Sequence, residues 1–126
     1  MLHYRQMDDL VRMLREKLPN VPMLMTTPPG SYESFRQRRR RRTYKINPRT
    51  AVAVQTIRCY ADENGLAVWD MYEILGGTHR ACLNWQEAGL MGPDHVHYLP
   101  DGYRLQGELF YQALLKAYND LSLIHI

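Results

Sequence analysis

Residues 47–70 read NPRTAVAVQTIRCYADENGLAVWD, and this stretch decides the fold class. It opens with Asn47-Pro48, a good helix cap followed by proline at the first helical position. Apolar residues then recur at helical spacing until Asn64-Gly65, a favoured helix end. The run Leu66-Ala67-Val68-Trp69 that follows is short and apolar, which is typical of a strand buried on both faces. The stretch therefore predicts a helix followed directly by a strand of a parallel sheet.

The flanking segments continue this alternation. Before the stretch, residues 4–18 predict an amphipathic helix, and the apolar run 21–26 predicts a second strand buried on both faces. After it, we expect short helices at 71–75 and 83–88 and a final helix at 101–118. The side chains that we expect to face inward from the final helix are Leu105, Leu109, Phe110, Ala113, Leu114 and Ala117. Helices alternating with strands predict an α/β fold with a parallel sheet, of which two strands are visible.

The composition excludes several classes of protein. With 126 residues, 45% of them apolar and 23% charged, the chain amounts to one globular domain rather than a disordered segment. No stretch approaches the ~18 consecutive apolar residues of a membrane span, and the charged N-terminus is not a secretory signal. The two cysteines, Cys59 and Cys82, are too few for a disulfide framework. What remains is a globular α/β domain.

The basic charge of the chain is concentrated in one segment. Residues 36–42 contain six of the sixteen basic residues; without them, ten basic residues stand against thirteen acidic ones, and the net charge changes from +3 to −3. We expect this tract to lie on a long loop at 27–47. It is either a solvated loop or the binding surface of a small module for nucleic acid or another acidic polymer. Phe35 and Tyr44 only flank the tract, and the lack of interleaved aromatic residues favours the solvated loop.

Residues 92–103, GPDHVHYLPDGY, contain the candidates for chemistry. Asp94 and His97 lie three positions apart in a loop that leads into the final helix. One turn at this spacing brings the carboxylate to imidazole Nδ1 and leaves Nε2 free, as a Ser-His-Asp site requires. His95 and His97, with Asp94 and His79, also have the residue types of a metal site. A loop rich in Gly, Pro and Asp is not the strand on which a His-x-His pair converges, which disfavours a metal.

Three segments, in a consistent order, resemble one enzyme family. DHVHYLPDGYRLQGELFYQALLKAY, residues 94–118, resembles the last conserved block of the SGNH hydrolases, also called GDSL-like esterases. MLMTTPPGSYES, residues 23–34, resembles the strand and loop after the family's third block. Residues 47–77 resemble the helix, strand and "WD-Y" segment between them. The resemblance runs from about Tyr4 to Tyr118 and is nearest to acetylesterase-like members that act on O-acylated glycans.

This resemblance implies a fold, an activity and two site residues. The fold would be the C-terminal half of a flavodoxin-like three-layer sandwich, and the activity would be carboxylic ester hydrolysis without a metal or organic cofactor. His97 would be the general base and Asp94 the acid that orients it, whereas His95 would have no role. The substrate would be an ester or an O-acylated carbohydrate. On this interpretation the arginine tract borders the active-site cleft and attracts an anionic polymer.

Other features of the family have no counterpart in the sequence. There is no Gly-Asp-Ser nucleophile motif, no glycine block for the oxyanion hole and no Gly-x-Asn-Asp block, and the serines Ser31, Ser34 and Ser122 lie in other contexts. We therefore expect residues 1–120 to be the C-terminal part of such a domain, inactive and of low stability by itself. LSLIHI, residues 121–126, matches the translation of a transposon-end sequencing adapter, so we expect natural sequence to end near Asp120. A non-catalytic relative that binds glycans is a further alternative.

Overall fold

The computed structural model describes residues 2–36 and 38–124, without the side chains of Leu2, His79, Ala81 and residues 122–124. Helices and strands follow one another along the chain in this order: α1 (Leu2–Lys17), β1 (Leu24–Thr26), β2 (Tyr32–Phe35), β3 (Thr43–Ile46), α2 (Pro48–Glu63), β4 (Ala67–Trp69), α3 (Met71–Ile74), α4 (Gly77–Glu87) and α5 (Pro100–Ile124). The proposed adapter residues 121–126 therefore begin in the last turn of α5, and residues 125 and 126 lie outside the described part.

The α/β fold with a two-stranded parallel sheet is confirmed. β1 and β4 pair in parallel with Leu24 opposite Ala67 and Thr26 opposite Trp69. α2 is the crossover helix, and it begins and ends where the sequence predicts. The Asn47 side chain accepts a hydrogen bond from the Arg49 backbone N–H, and Gly65 takes a positive φ of 65° just beyond the helix.

The prediction that both strands are buried on both faces is wrong for the described residues. Leu24 in β1 keeps 42% of its surface exposed and Val68 in β4 keeps 38%. A central strand is buried because strands flank it and helices cover both faces of its sheet. Within residues 2–36 and 38–124, each of these strands has a single partner strand, so edges and part of the faces meet solvent.

The predicted long loop at 27–47 contains a β-hairpin. β2 and β3 pair antiparallel, with Tyr32 opposite Ile46 and Phe35 opposite Thr43. Thr, Tyr and Ile in β3 favour strands, but each strand has only four residues, too few for a clear alternation beside the arginine tract. The tract is therefore the connection of a hairpin. We call residues 32–46 the arginine hairpin.

The core lies between α2, α3, α4 and the segment 91–98. It consists of Val54, Tyr72, Leu75, Cys82, Trp85, Met91 and Tyr98, all of them buried. Trp85 donates from Nε1 to the Leu75 carbonyl at 3.1 Å, and Tyr98 donates its hydroxyl proton to the Gly30 carbonyl at 2.8 Å. Burial of these two polar atoms is therefore matched by hydrogen bonds. α4 begins at Gly77 rather than at the predicted 83 and extends the core by about two turns.

The inward face predicted for α5 is wrong for most of its length. Leu105 and Leu114 are 38% and 47% exposed, Ala117 is exposed, and Leu109, Phe110 and Ala113 are half-buried. Among residues 100–121, the part of α5 whose side chains the structure describes, Gly102 and Gln106 in the first two turns are buried. Helical periodicity shows which residues share a face, but it does not show whether another element covers that face.

Candidate active site

The loop 92–97 brings Asp94 and His97 together. One oxygen of Asp94, Oδ1, accepts hydrogen bonds from the backbone N–H groups of Val96 and His97, both at 3.0 Å. The other, Oδ2, lies 2.5 Å from Nδ1 of His97. The Asp-x-x-His spacing therefore produces the contact predicted from it, with an additional Asx-type turn that fixes the carboxylate.

Both side chains are accessible from solvent. The exposed fraction is 75% for the His97 side chain and 50% for the Asp94 side chain. In the part of the chain that the structure describes, Nε2 of His97 has no hydrogen-bond partner, so this atom is free to meet a molecule from outside.

The electrostatics of the pair favour one tautomer. The hydrogen bond from His97, and then those from the backbone N–H groups of Val96 and His97, hold the pKa of Asp94 well below its usual range. Asp94 is therefore an ionised carboxylate at neutral pH and only accepts hydrogen bonds. Nδ1 of His97 must be the donor, which leaves Nε2 of the neutral imidazole as a proton acceptor.

The loop is closed by backbone contacts that leave no room for larger residues. The Gly92 N–H donates to the His97 carbonyl at 2.7 Å, and Met91 and Tyr98 form a β-bridge beside it. A Cβ atom on Gly92 would lie 3.1 Å from the His97 carbonyl oxygen, and one on Gly102 would lie 2.7 Å from the Leu90 carbonyl oxygen. Two close approaches of backbone to backbone thus set the position of the Asp94–His97 loop at the start of α5.

His95 has a structural role that sequence reasoning missed. Its ring stacks on Tyr44 with ring centres 3.6 Å apart and an interplanar angle of 9°, and its edge contact with Tyr32 is at 5.6 Å. Its backbone carbonyl accepts a hydrogen bond from the Tyr32 N–H at 2.9 Å. His95 therefore joins the loop to the arginine hairpin. The backbone φ of His95 is +60°, a conformation that is uncommon outside glycine.

The metal hypothesis gains no support from this geometry. His95 stacks on Tyr44, whereas His97 is engaged with Asp94 through Nδ1. Within the described residues, no three His, Cys, Asp or Glu side chains are grouped as metal ligands. The side chain of His79 lies outside the description. Cys59 is exposed and Cys82 is buried in the core, so they form no pair.

A nucleophile for the Asp94–His97 pair is not found among the described side chains. The Ser34 hydroxyl accepts a hydrogen bond from Arg42 at 3.1 Å on the arginine hairpin, and Ser31 contributes its backbone carbonyl to Asn47. Ser122 has no described side chain. The described residues therefore contain the hydrogen-bonded pair of Asp94 and His97 but no serine assigned to it. None of the described helices has the length and apolar character needed to cross a membrane.

Comparison with solved structures shows that this α/β fold is similar to that of two other proteins. A structure of a peptidoglycan O-acetylesterase matches with a TM-score of 0.78 and 23% sequence identity, over 93% of this chain and 32% of that one. The esterase domain of the ORF1 protein from the zebrafish ZfL2-1 retrotransposon matches with a TM-score of 0.60 and 16% identity, over 89% of this chain and 56% of that one. The chain thus spans less than two thirds of either structure. No family model and no curated protein sequence matches it.

Proposed function

We propose that this chain carries the general base and the orienting acid of a serine ester hydrolase of the SGNH type. The observation that carries the proposal is the contact of 2.5 Å between His97 Nδ1 and Asp94 Oδ2, which leaves Nε2 free as a proton acceptor. The esterase-like fold is a second support, because both similar structures are esterases by description.

The proposed reaction needs a serine outside the described residues. As Ser Oγ attacks the ester carbonyl, Nε2 of His97 takes its proton, and the protonated imidazole then passes that proton to the departing alcohol. Water then attacks the acyl carbonyl and gives a proton to the same Nε2. His97 passes this proton to Ser Oγ as the bond between the acyl group and the serine breaks, which releases the carboxylic acid and restores the serine. Asp94 stabilises the imidazolium that exists between these transfers.

We propose that the serine and the oxyanion donors lie on a segment that precedes residue 1 in the complete protein. The chain spans 32% of the similar peptidoglycan O-acetylesterase, and that size difference leaves room for such a segment. The proposed substrate is an acyl ester, best represented by an acetyl ester, on a glycan, because the similar structure is named a peptidoglycan O-acetylesterase.

The test joins the upstream coding sequence to this chain and measures hydrolysis of p-nitrophenyl acetate and of an O-acetylated glycan. We expect His97→Gln and Asp94→Asn to lower kcat by ~10³-fold or more. His3→Gln, at an exposed histidine on α1, is the control and should leave kcat unchanged. Full activity of the His97 variant, or no activity of the joined wild-type protein, would refute the proposal.

A further inference from the structure

The arginine hairpin carries a concentrated positive charge that the proposed chemistry does not use. Between residues 27 and 61 there are nine basic residues and one acidic residue, Glu33. Among the described side chains, none of the tract arginines lies within ion-pair distance of a carboxylate. Arg42 instead donates to the Ser34 hydroxyl at 3.1 Å. Unneutralised guanidinium groups on one short element form a site for anions.

The hairpin is attached directly to the loop of the candidate active site. Tyr32 and Tyr44, on its two strands, both contact His95, through a backbone hydrogen bond of 2.9 Å and a ring stack with centres 3.6 Å apart. The strands end at Phe35 and Thr43, which are three residues from Tyr32 and one residue from Tyr44. At the rise of a β-strand, the separation along each strand is roughly 3–10 Å. This distance is comparable with the Debye length of ~8 Å at physiological ionic strength. The ends of the hairpin strands therefore lie near His95, which follows Asp94 directly in the loop of the candidate active site.

A small cavity lies at the base of the tract. It has a volume of about 270 Å³ and is lined by Phe35, Arg40, Arg41, Thr43 and Lys45. The Thr43 hydroxyl donates within the hairpin, to the Phe35 carbonyl at 3.4 Å. Two guanidinium groups and an ammonium group line the cavity, and all three are hydrogen-bond donors. Such a set fits a carboxylate, which guanidinium groups bind through paired N–H donors.

The two aromatic residues beside the tract each have one ring face covered by a neighbouring side chain, which disfavours nucleic acid. Lys45 Nζ lies over the Phe35 ring, 5.6 Å from its centre, and His95 covers one face of Tyr44. Proteins that bind single strands commonly stack bases on free aromatic faces. A polymer that is bound only through its anionic groups does not require a free aromatic face.

We propose that the arginine hairpin binds a polysaccharide that bears carboxylate groups and holds it beside the Asp94–His97 pair. The location of the bound polymer at an ester-cleaving site rests on the proposed function, whereas the binding itself does not. The tract arginines supply long-range attraction, and the cavity at Phe35 and Lys45 binds one carboxylate at short range.

The test measures binding of the full chain to polygalacturonate, with methyl-esterified polygalacturonate as the uncharged comparison. We expect binding to the acid form, and at least about a tenfold loss between 50 mM and 300 mM salt, because the interaction is ionic. Replacing the six tract arginines with Gln should weaken binding by at least about tenfold. The matched control removes the same charge elsewhere, with Gln at Arg5, Arg15, Lys17, Arg80, Arg104 and Lys116, and should weaken it by less than about threefold.

A variant with two substitutions instead of six tests whether the loss of binding comes from unfolding. Arg40→Gln with Arg41→Gln removes two exposed guanidinium groups from the cavity, and we expect an intermediate loss of binding with an unchanged circular dichroism spectrum. Three results would overturn the proposal: no binding of the wild-type chain to polygalacturonate, an equal loss in the tract and control variants, or binding of a single-stranded oligouridylate as tight as that of polygalacturonate.

The failure of this proposal is distinguishable from that of the proposed function. His97→Gln should leave binding to polygalacturonate unchanged, because binding does not use the base. Hydrolysis of p-nitrophenyl acetate by the joined protein should in turn be insensitive to the tract variants, since that substrate carries no carboxylate. Each proposal can therefore be refuted without refuting the other.

Discussion

At the scale of single residues, Gly102 is a position where the absence of a side chain decides how the site loop meets α5. A Cβ atom there would lie 2.7 Å from the Leu90 carbonyl oxygen and 3.2 Å from Cβ of Tyr98. Neither neighbour can move as a flexible side chain would, since one is backbone and the other is a buried core residue. We expect Gly102→Ala to lower the free energy of unfolding by about 1–3 kcal/mol through overpacking.

A second glycine of the same helix provides the control for this measurement. Nothing lies within 4 Å of the Cβ position of Gly107. Gly107→Ala should therefore raise the free energy of unfolding by about 0.5–1 kcal/mol, because alanine favours helix over glycine. Urea denaturation of both variants measures the difference, and the same sign for both would contradict the packing argument.

Several buried groups make the protein sensitive to alkali, and burial raises the pKa of Tyr98 well above its usual range. Burial raises the pKa of the Cys82 thiol from 9.0 to about 11, and burial together with the hydrogen bond to Asp8 raises the pKa of Tyr60 from 10.0 to about 12. For a raised pKa, the contribution to stability is complete below the unfolded-state value and is lost as pH rises through the folded-state value. We expect the free energy of unfolding to fall between pH 9 and pH 12.

Cys82→Ala separates the contribution of the thiol from that of the buried tyrosines. The variant lacks the thiol, so the decline should begin near pH 10 with Tyr60 and Tyr98 instead of near pH 9. Urea denaturation at a series of pH values from 7 to 12 measures the onset. An onset that stays at pH 9 in the variant would show that another group is responsible.

The site could be predicted from the sequence only where its geometry is local. Asp94 and His97 are three residues apart, and one turn suffices to join them, so spacing predicts their contact. The role of His95 depends on Tyr44, which is 51 positions away and lies on a hairpin that short strands conceal. A contact across that distance leaves no periodic signal in the sequence. The positive φ of His95 is likewise set by the contacts that surround this residue.

At the scale of elements, the same distinction between local and distant causes holds. α2 is predicted accurately because Asn47 and Gly65 act on their own helix ends. The two-stranded parallel sheet follows from apolar runs joined by a crossover helix. The extent of burial on β1, β4 and α5 does not follow, because it depends on which other elements cover them.

Thr27 connects the two parallel strands to α3. Its side chain is completely buried, and its hydroxyl donates to Asp70 Oδ1 at 2.8 Å and accepts from the Tyr72 N–H at 3.0 Å. Asp70 in turn accepts from the Glu73 N–H at the start of α3 and pairs with Arg58 of α2 at 2.7 Å. Thr27→Val keeps the shape but leaves the Tyr72 N–H buried without a partner, so we expect a loss of about 1–3 kcal/mol of stability.

Thr56→Val is the matched control for the loss at Thr27. The Thr56 hydroxyl donates to the Val52 carbonyl within α2, at 3.0 Å, and serves no other element. We expect its substitution to change stability by less than about 0.5 kcal/mol. Thermal or urea unfolding compares the two variants, and equal effects would mean that the Thr27–Asp70 contacts contribute nothing specific.

At the scale of the whole molecule, large apolar side chains remain exposed where the fold leaves faces uncovered. On α5 they follow a helical stripe with spacings of three, one and three: Tyr111, Leu114, Leu115 and Tyr118, with exposed fractions of 62%, 47%, 45% and 68%. On the sheet, Leu24 and Val68 are exposed as well. Contiguous apolar surface of this kind favours association in water.

We therefore expect the isolated chain to self-associate at micromolar concentrations and to bind a hydrophobic dye. Leu114→Glu with Tyr118→Glu places charges in the stripe and should shift the sedimentation coefficient toward that of a 14.8 kDa monomer. Gln112→Glu with Asn119→Glu adds the same charge on a neighbouring face of α5 and should not do so. Because the four side chains are exposed, neither pair should unfold the chain. The opposite result would be a wild-type chain that sediments as a monomer, melts cooperatively and does not bind the dye. It would show that the exposed apolar faces do not cause association in water, and the expected low stability of residues 1–120 would then be wrong.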